Sequence, residues 1–410
     1  MATLKPETPE QVVEAVAWAA AEEAPLEVMG RASKRALGRP VQAANDLDLS
    51  GLSGILLYEP EELVLSARAG TPMGDIEAAL KEKNQMLAFE PADLGPLLGS
   101  EAGQGSIGGM LACNLAGPRR VKAGAARDHF LGAEAVSGRG EAFKTGGRVV
   151  KNVSGYDLCK LLAGSYGTLA AMTEVTVKVL PAPEKTRTVL LLGLDEAGAV
   201  GAMTRALQTS HEVSGAAHLP AGLAATSAVS YVADAGAAVT ALRLEGPGPS
   251  VEHRTSALRQ ELADLAETEE LHSANSGAFW TELRDVKPLV AHPERAVWRI
   301  SVPPAAGAEV AARLVQENDA LFYFDWGGGL IWLALPASDA LAFEARHAAV
   351  RAAFGDCGGH ATLIRAPEEV RARVPVFQPQ DPALAALTKR VKEGFDPKGI
   401  LNPGRMTAGV

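Results

Sequence analysis

Cysteine is scarce in this chain. Only Cys113, Cys159 and Cys357 occur in 410 residues, and none lies within four residues of another. That spacing excludes a cysteine-based zinc or iron–sulfur site within the chain and any disulfide framework, as expected in a reducing compartment. Positive charge is in deficit. Lys and Arg number 39 against 49 Asp and Glu, a formal net charge of −10, which argues against nucleic acid or an anionic membrane as a general partner. Long apolar runs are absent too; no stretch approaches the ~20 residues needed to cross a bilayer. The opening MATLKPETPEQVVEAV is acidic and has no signal core. The eight histidines, at 129, 211, 218, 253, 272, 292, 347 and 360, never pair at i,i+4, and a metal site needs converging ligands.

What is present reads as globular. Hydrophobic residues make up 47% and charged residues 21%, enough for two or three domains. Thr8-Pro9-Glu10-Gln11 opens a helix over 9–23, with Val12, Val13, Val16 and Ala20 on one face and Pro25 as its stop. LEVMGRASK (26–34) is a short apolar strand that runs into a small-residue loop. Residues 55–60 and 63–70 read as strands, and Thr71-Pro72 caps a helix. Residues 129–147 read as a hairpin, and 169–180 as a strand that Pro181 and Pro183 end. Near 185 the texture changes. Strands at 187–194, 239–244, 296–301, 320–324 and 330–335 alternate with helices at 195–208, 249–266, 305–317 and 337–353. That pattern predicts one or two α+β sandwiches with helices on one side of an antiparallel sheet. Residues 366–380 form a linker, and a last helix spans 383–394.

Residues 103–120, GQGSIGGMLACNLAGPRR, contain G-x-G-x-x-G at Gly103, Gly105 and Gly108. A dinucleotide-binding Rossmann turn needs a strand directly before the first glycine. The preceding EPADLGPLLGSEA carries two prolines and two glycines and does not read as one. The alternative use is local: glycines let backbone N–H groups approach a ligand closely. Gly30, Arg31, Ala32, Ser33 and Lys34 offer similar chemistry at a strand end, suited to a pyrophosphate. Taken alone, the pentapeptide also reads as an ordinary polar turn.

Five segments carry a family likeness: MGRASKRALGRP (29–40), SIGGMLACNLAGPRR (106–120), RDHFLGAEAVSGRGE (127–141), VVKNVSGYDLCKLLAGSYGTLAAMTEVTVKVLP (149–181) and FDPKGILNPGRM (395–406). Together they resemble the vanillyl-alcohol oxidase/PCMH-type FAD-binding proteins, and within that group most of all the E-subunit family of bacterial glycolate oxidases (glycolate dehydrogenases). The resemblance implies an α+β fold. An FAD-binding domain of two α+β subdomains would occupy 1–185, an α+β cap domain 186–368, and a return to the FAD domain 369–410. Residue by residue, it implies that Gly30, Arg31, Ala32, Ser33 and Lys34 take the pyrophosphate. Ser106, Gly108, Gly109 and Asn114 would stand where the second glycine-rich segment meets the flavin side. Gly167 and Thr168 precede the strand along the cofactor, and Asn402 lies on the return toward the ring. Residues 29–36 hold no His or Cys, so the FAD is expected to be noncovalent.

The resemblance also implies partners and chemistry. An FAD-binding D subunit and an iron–sulfur F subunit would complete a complex that oxidises a small 2-hydroxy acid, glycolate to glyoxylate, and passes electrons to an acceptor. A cytoplasmic location follows, with peripheral attachment to the inner face of the membrane through the complex. The chain departs from catalytic relatives, because nothing reads H-x-G-D-G-N-x-H or G-E-H-G. The nearest remnant is Gly358-Gly359-His360-Ala361-Thr362. A free-standing dehydrogenase of another 2-hydroxy acid and a scaffold subunit with a vestigial flavin site are the alternatives. Arg119, Arg120, Lys122 and Arg127 form a basic cluster suited to an FAD phosphate, a substrate carboxylate or an acidic neighbour; a solvated loop is the plainer reading. Lys151 and Asn152 are candidates to stabilise charge on reduced flavin.

Overall fold

The computed structural model describes residues 2–148, 155–316, 319–337 and 340–409. Lys151 and Asn152 lie outside the described residues. The chain divides into two compact units. The first comprises residues 1–115, 124–182 and 375–410; the second comprises 116–123 and 183–374. Residues 116–123, read from sequence as part of the FAD domain, thus group with the second unit.

The first unit opens with strand β1 (Ala2–Leu4) and the helix Pro9–Glu22. Thr8 caps this helix by accepting from the Gln11 amide, and Glu23 in a left-handed conformation ends it. β2 (Leu26–Met29) and β3 (Asn45–Asp48) follow, and β1-β3-β2 form a small parallel sheet. β4 (Ile55–Glu59), β5 (Val64–Arg68), β7 (Phe130–Ser137), β8 (Ala142–Gly146) and β9 (Ala170–Lys178) build an antiparallel sheet in the order β4-β5-β9-β7-β8. The short β6 (Gln85–Met86) and β10 (Leu180–Pro181) pair beside it. Val12, Val16 and Ala19 of the helix join Leu26, Leu47, Val136, Ala171 and Leu401 in one core. Each fully buried valine or leucine there contributes about 1.5–3 kcal/mol. That core sets the end of β2 beside the start of β9 and the C-terminal segment.

The second unit is a single eight-stranded antiparallel sheet. Its strands are β11 (Lys185–Leu192), β12 (Gly215–Leu219), β13 (Val239–Gly246), β14 (Thr268–Leu271), β15 (Arg295–Ser301), β16 (Leu321–Asp325), β17 (Leu330–Pro336) and β18 (His360–Arg365), in the order β14-β11-β13-β12-β16-β17-β15-β18. The helices Glu196–Leu207, Gly248–Leu262, Gly307–Gln316 and Ala340–Ala352 pack on it. The 366–380 segment, read as a linker, contains the short helix Glu368–Arg373. The helix Pro382–Phe395 belongs to the first unit. Among the described residues no helix is long and apolar enough to cross a membrane.

Candidate functional site

Strand β2 stops at Met29 because the chain turns into five small or cationic residues. Ala32 adopts φ 59°, the left-handed region, and alternation of this kind gathers successive N–H groups into a concavity. The turn closes with Arg35 N donating to Ala32 O at 3.1 Å and Leu37 N to Lys34 O at 3.0 Å. The amides of Arg31, Ala32, Ser33 and Lys34 donate to no protein group among the described residues. Four open N–H groups in a row, beside one ammonium and one guanidinium, form an anion cradle.

Buried charge holds that loop in place. Glu27 accepts from Arg35 through Nε at 2.9 Å and Nη2 at 2.6 Å, and from Arg405 Nη2 at 2.6 Å. Arg35 also reaches Asp46 at 3.0 Å. Arg405 Nη1 donates to the carbonyls of Arg35 at 2.8 Å and Leu37 at 3.0 Å. The hydrogen bond to Glu27 is the main reason the Arg35 guanidinium holds its proton more tightly than usual.

The second glycine-rich segment meets this loop directly. Ser106 caps the helix Ile107–Cys113 by accepting from Gly109 N at 3.3 Å. A Cβ placed on Gly30 would lie 2.2 Å from Ser106 Oγ, so only glycine allows the approach. Arg31 Nη2 donates to Gln104 Oε1 at 3.1 Å across the same junction. One expectation needs correction here. The amides of this segment do not stand open: Ile107 N bonds Thr71 O at 3.0 Å and Gly108 N bonds Ala69 O at 2.8 Å. Its glycines supply close approach, and the donors come from the first loop. No strand precedes Gly103, only the 3-10 turn Pro96–Leu98, so the Rossmann geometry is absent.

Together these elements enclose a cleft of about 760 Å³, counting its open mouth. Gly30, Arg31, Ala32, Ser33, Lys34, Ser106, Gly108, Gly109, Gly167 and Asn402 line it. Asn402 acts as a brace. Its Oδ1 accepts from Val28 N at 2.8 Å, and its Nδ2 donates to Tyr166 O at 2.7 Å. Two expected residues are not in the lining. Asn114 ends its helix in a left-handed conformation and accepts from Arg127 N at 2.9 Å. The Thr168 hydroxyl donates to Ser165 O at 2.7 Å. Glu27, Cys113, Tyr166 and Arg405 line the cleft and were not singled out from sequence. Tyr166 and Arg405 do fall inside GSYGTL and LNPGRM, but nothing local distinguishes them from turn residues. Burial pushes the Cys113 thiol up against the opposing pull of Lys34 and Arg405, which disfavours the thiolate.

The four basic residues take different partners. Arg119 makes a two-point contact with Glu245, through Nε at 2.9 Å and Nη2 at 2.8 Å. Burial alone would raise the Glu245 carboxyl, but Arg243 and Arg119 bring it down to about 2. Lys122 reaches Glu212 at 3.5 Å in solvent. Arg127 lies in the first unit and donates to Lys160 O at 3.0 Å. Arg120 lies over the Trp326 ring. His360, at the start of β18, is held below the ordinary imidazole value by partial desolvation, then by Arg299 and Arg120. Among the described residues no three His, Cys, Asp or Glu side chains gather as metal ligands.

Comparison with known proteins agrees with this cleft. Residues 1–146 match the family described as "FAD binding domain", and residues 376–406 match "FAD linked oxidases, C-terminal domain". The chain is 36% identical to the glycolate oxidase subunit GlcE of Escherichia coli over 97% of each chain. It is 35% identical to the glycolate oxidase subunit GlcD of Bacillus subtilis over 37% of this chain and 31% of that one. Its fold is similar to p-cresol methylhydroxylase, with a TM-score of 0.72 and 17% identity over 99% of this chain and 88% of that one. The residues of the cleft fit the cofactor, since open amides and two cations suit a diphosphate and a Cβ at Gly30 would fill the junction between its loops. The chain therefore belongs to the FAD-linked oxidoreductase family that includes the glycolate oxidase subunit GlcE, with FAD as its cofactor and a PCMH-type α+β fold.

Proposed function

We propose that this chain is the FAD-carrying E-type subunit of a glycolate oxidase complex. It would work beside an FAD-binding D subunit and an iron–sulfur F subunit, with electrons passing on to an acceptor. The observation that carries the reading is the row of open amides at Arg31–Lys34, set against Ser106 within one cleft. These amides and the Arg31 and Lys34 side chains would hold the diphosphate of FAD, charge-assisted and out of bulk water. Gly108, Gly109 and Gly167 would admit the cofactor closely, while Asn402 keeps β2 and the Tyr166–Gly167 turn in register. Asn114 and Thr168 would act one layer behind, shaping the helix end and the approach to β9. Bound FAD supplies two-electron redox chemistry; the chain's part is to bind, orient and tune it. Attachment is noncovalent in this reading, because residues 29–36 hold no His or Cys. The domain assignment of 1–185, 186–368 and 369–410 goes with it.

The test is direct. Purified protein should be yellow and release all its flavin into the supernatant on acid precipitation. A colourless preparation, or flavin that stays with the pellet, would overturn the cofactor reading or the noncovalent one respectively. Co-expression with D- and F-type subunits should recover a three-component complex that reduces an artificial acceptor with glycolate.

A further inference from the structure

Lys392 is the only buried lysine among the described residues. It stands in the last turn of the helix Pro382–Phe395 of the first unit, and Asp396, its partner, stands just past the helix end. The ammonium uses all three of its N–H groups on protein oxygens. It donates to Asp396 Oδ2 at 2.6 Å, to Thr168 O at 2.7 Å and to Leu401 O at 2.9 Å. Asp396 also accepts from Ile400 N at 3.0 Å through Oδ1 and from Leu401 N at 2.8 Å through Oδ2. A Cβ at Gly138 would lie 2.3 Å from Asp396 Oδ1, so the carboxylate has no room to move on that side.

A buried ion pair is a costly way to hold a helix end, because both charges must leave water. What distinguishes this one is the pair of carbonyls it joins. Thr168 directly follows Gly167, and Leu401 directly precedes Asn402; Gly167 and Asn402 both line the cleft, whereas Lys392 and Asp396 do not. The two segments lie more than 200 residues apart in the chain. Two carbonyl oxygens turned toward one point repel each other, and a cation between them reverses the sign of that interaction. No neutral side chain of this length could donate to three oxygens at once.

We propose that Lys392, held by Asp396, is a positioning residue for the cofactor: it fixes the spacing between the Gly167–Thr168 turn and the Leu401–Asn402 segment, and so the width of the cleft, without touching FAD itself. Asn402 ties the same two segments within the lining, through Nδ2 to Tyr166 O; Lys392 ties them from outside it. The proposal rests on the reading of this cleft as the FAD site. A brace with only a structural role would change the stability of the fold and leave cofactor affinity alone. A positioning residue changes affinity even where stability is restored.

The experiment measures two quantities on the full chain: the melting temperature of flavin-stripped protein, and its affinity for added FAD by fluorescence titration. Lys392→Met leaves Asp396 buried without its cation, so it should lower the melting temperature and weaken FAD about tenfold or more, as loss of charged hydrogen bonds does. Lys392→Met/Asp396→Asn removes both charges. It should recover much of the melting temperature while FAD stays weakened to a similar extent, and it keeps the test open if the single variant does not fold. Glu245→Gln breaks a buried ion pair of the second unit; it should lower the melting temperature and bind FAD like the wild type. A double variant with wild-type FAD affinity, or a Glu245→Gln variant that loses FAD as the lysine variants do, overturns the proposal and leaves the cleft reading intact. A wild-type chain that takes up no FAD overturns both.

Discussion

At the scale of single residues, the cleft depends on contacts that leave no room for substitution. Gly30→Ala puts a methyl group 2.2 Å from Ser106 Oγ, so the two loops must part. We expect FAD affinity to fall about tenfold or more, since a misplaced cradle loses charge-assisted hydrogen bonds. Adding Ser106→Ala should recover part of the loss, and fluorescence titration of flavin-stripped protein measures both. Arg405→Met leaves the buried Glu27 with one cation fewer. Breaking such a pair costs about 3–5 kcal/mol, so the melting temperature and flavin retention should drop together. The Glu27→Gln/Arg405→Met double variant should be less destabilised than Arg405→Met alone. The sequence shows glycines and cations in this region but cannot show which amides remain open. That depends on Ala69 and Thr71, carbonyl partners some 40 residues upstream of Gly108, which take the N–H groups of Ile107 and Gly108.

Secondary elements were legible where periodicity and caps agree. The helix Pro9–Glu22 has both a capping threonine and an apolar face, and it forms within one residue of the span read from sequence. β3 was missed because NDLD reads as a polar turn; parallel pairing with β1 and β2 on both sides makes it a strand. β12, GAAHL, was missed because it alternates nothing, yet it joins the two halves of the eight-stranded sheet. It pairs with β13 along its length and with β16 at His218–Phe324. That junction is why a single sheet forms, the first of the two arrangements, one or two sandwiches, that the alternation allowed. Proline has no amide to donate and is poorly tolerated in a central strand. Ala217→Pro should therefore lower the thermal midpoint by several degrees and expose apolar surface to a hydrophobic dye. A midpoint unchanged from the wild type would show that β12 does not couple the halves.

For the whole molecule, composition set the class and charge, but it cannot reveal two buried histidines that are expected to carry much of the response to mildly acid pH. His218 bonds Thr240 Oγ1 at 2.9 Å, and its Nε2 has no partner among the described residues; burial lowers it to about 4, with Asp195 opposing. His347 is also brought down to about 4, by burial and then by Arg351. Both must bind a proton on unfolding at mildly acid pH, because the unfolded imidazole titrates at 6.5. The unfolded state therefore binds more protons between 6.5 and 4, and stability falls as pH falls through that window. A shift of this size is worth on the order of 3 kcal/mol per histidine at its full extent. Glu245, depressed to about 2, begins to add its own loss as pH falls through the unfolded carboxylate value of 4.5, so the histidine contribution is read above about pH 5. Thermal melts should thus decline from pH 7 to pH 4. The His218→Gln/His347→Gln variant should start lower, since it disturbs two packed sites, but lose most of the slope between about pH 7 and pH 5. A double variant that keeps the full slope would move the origin of acid sensitivity away from these two rings.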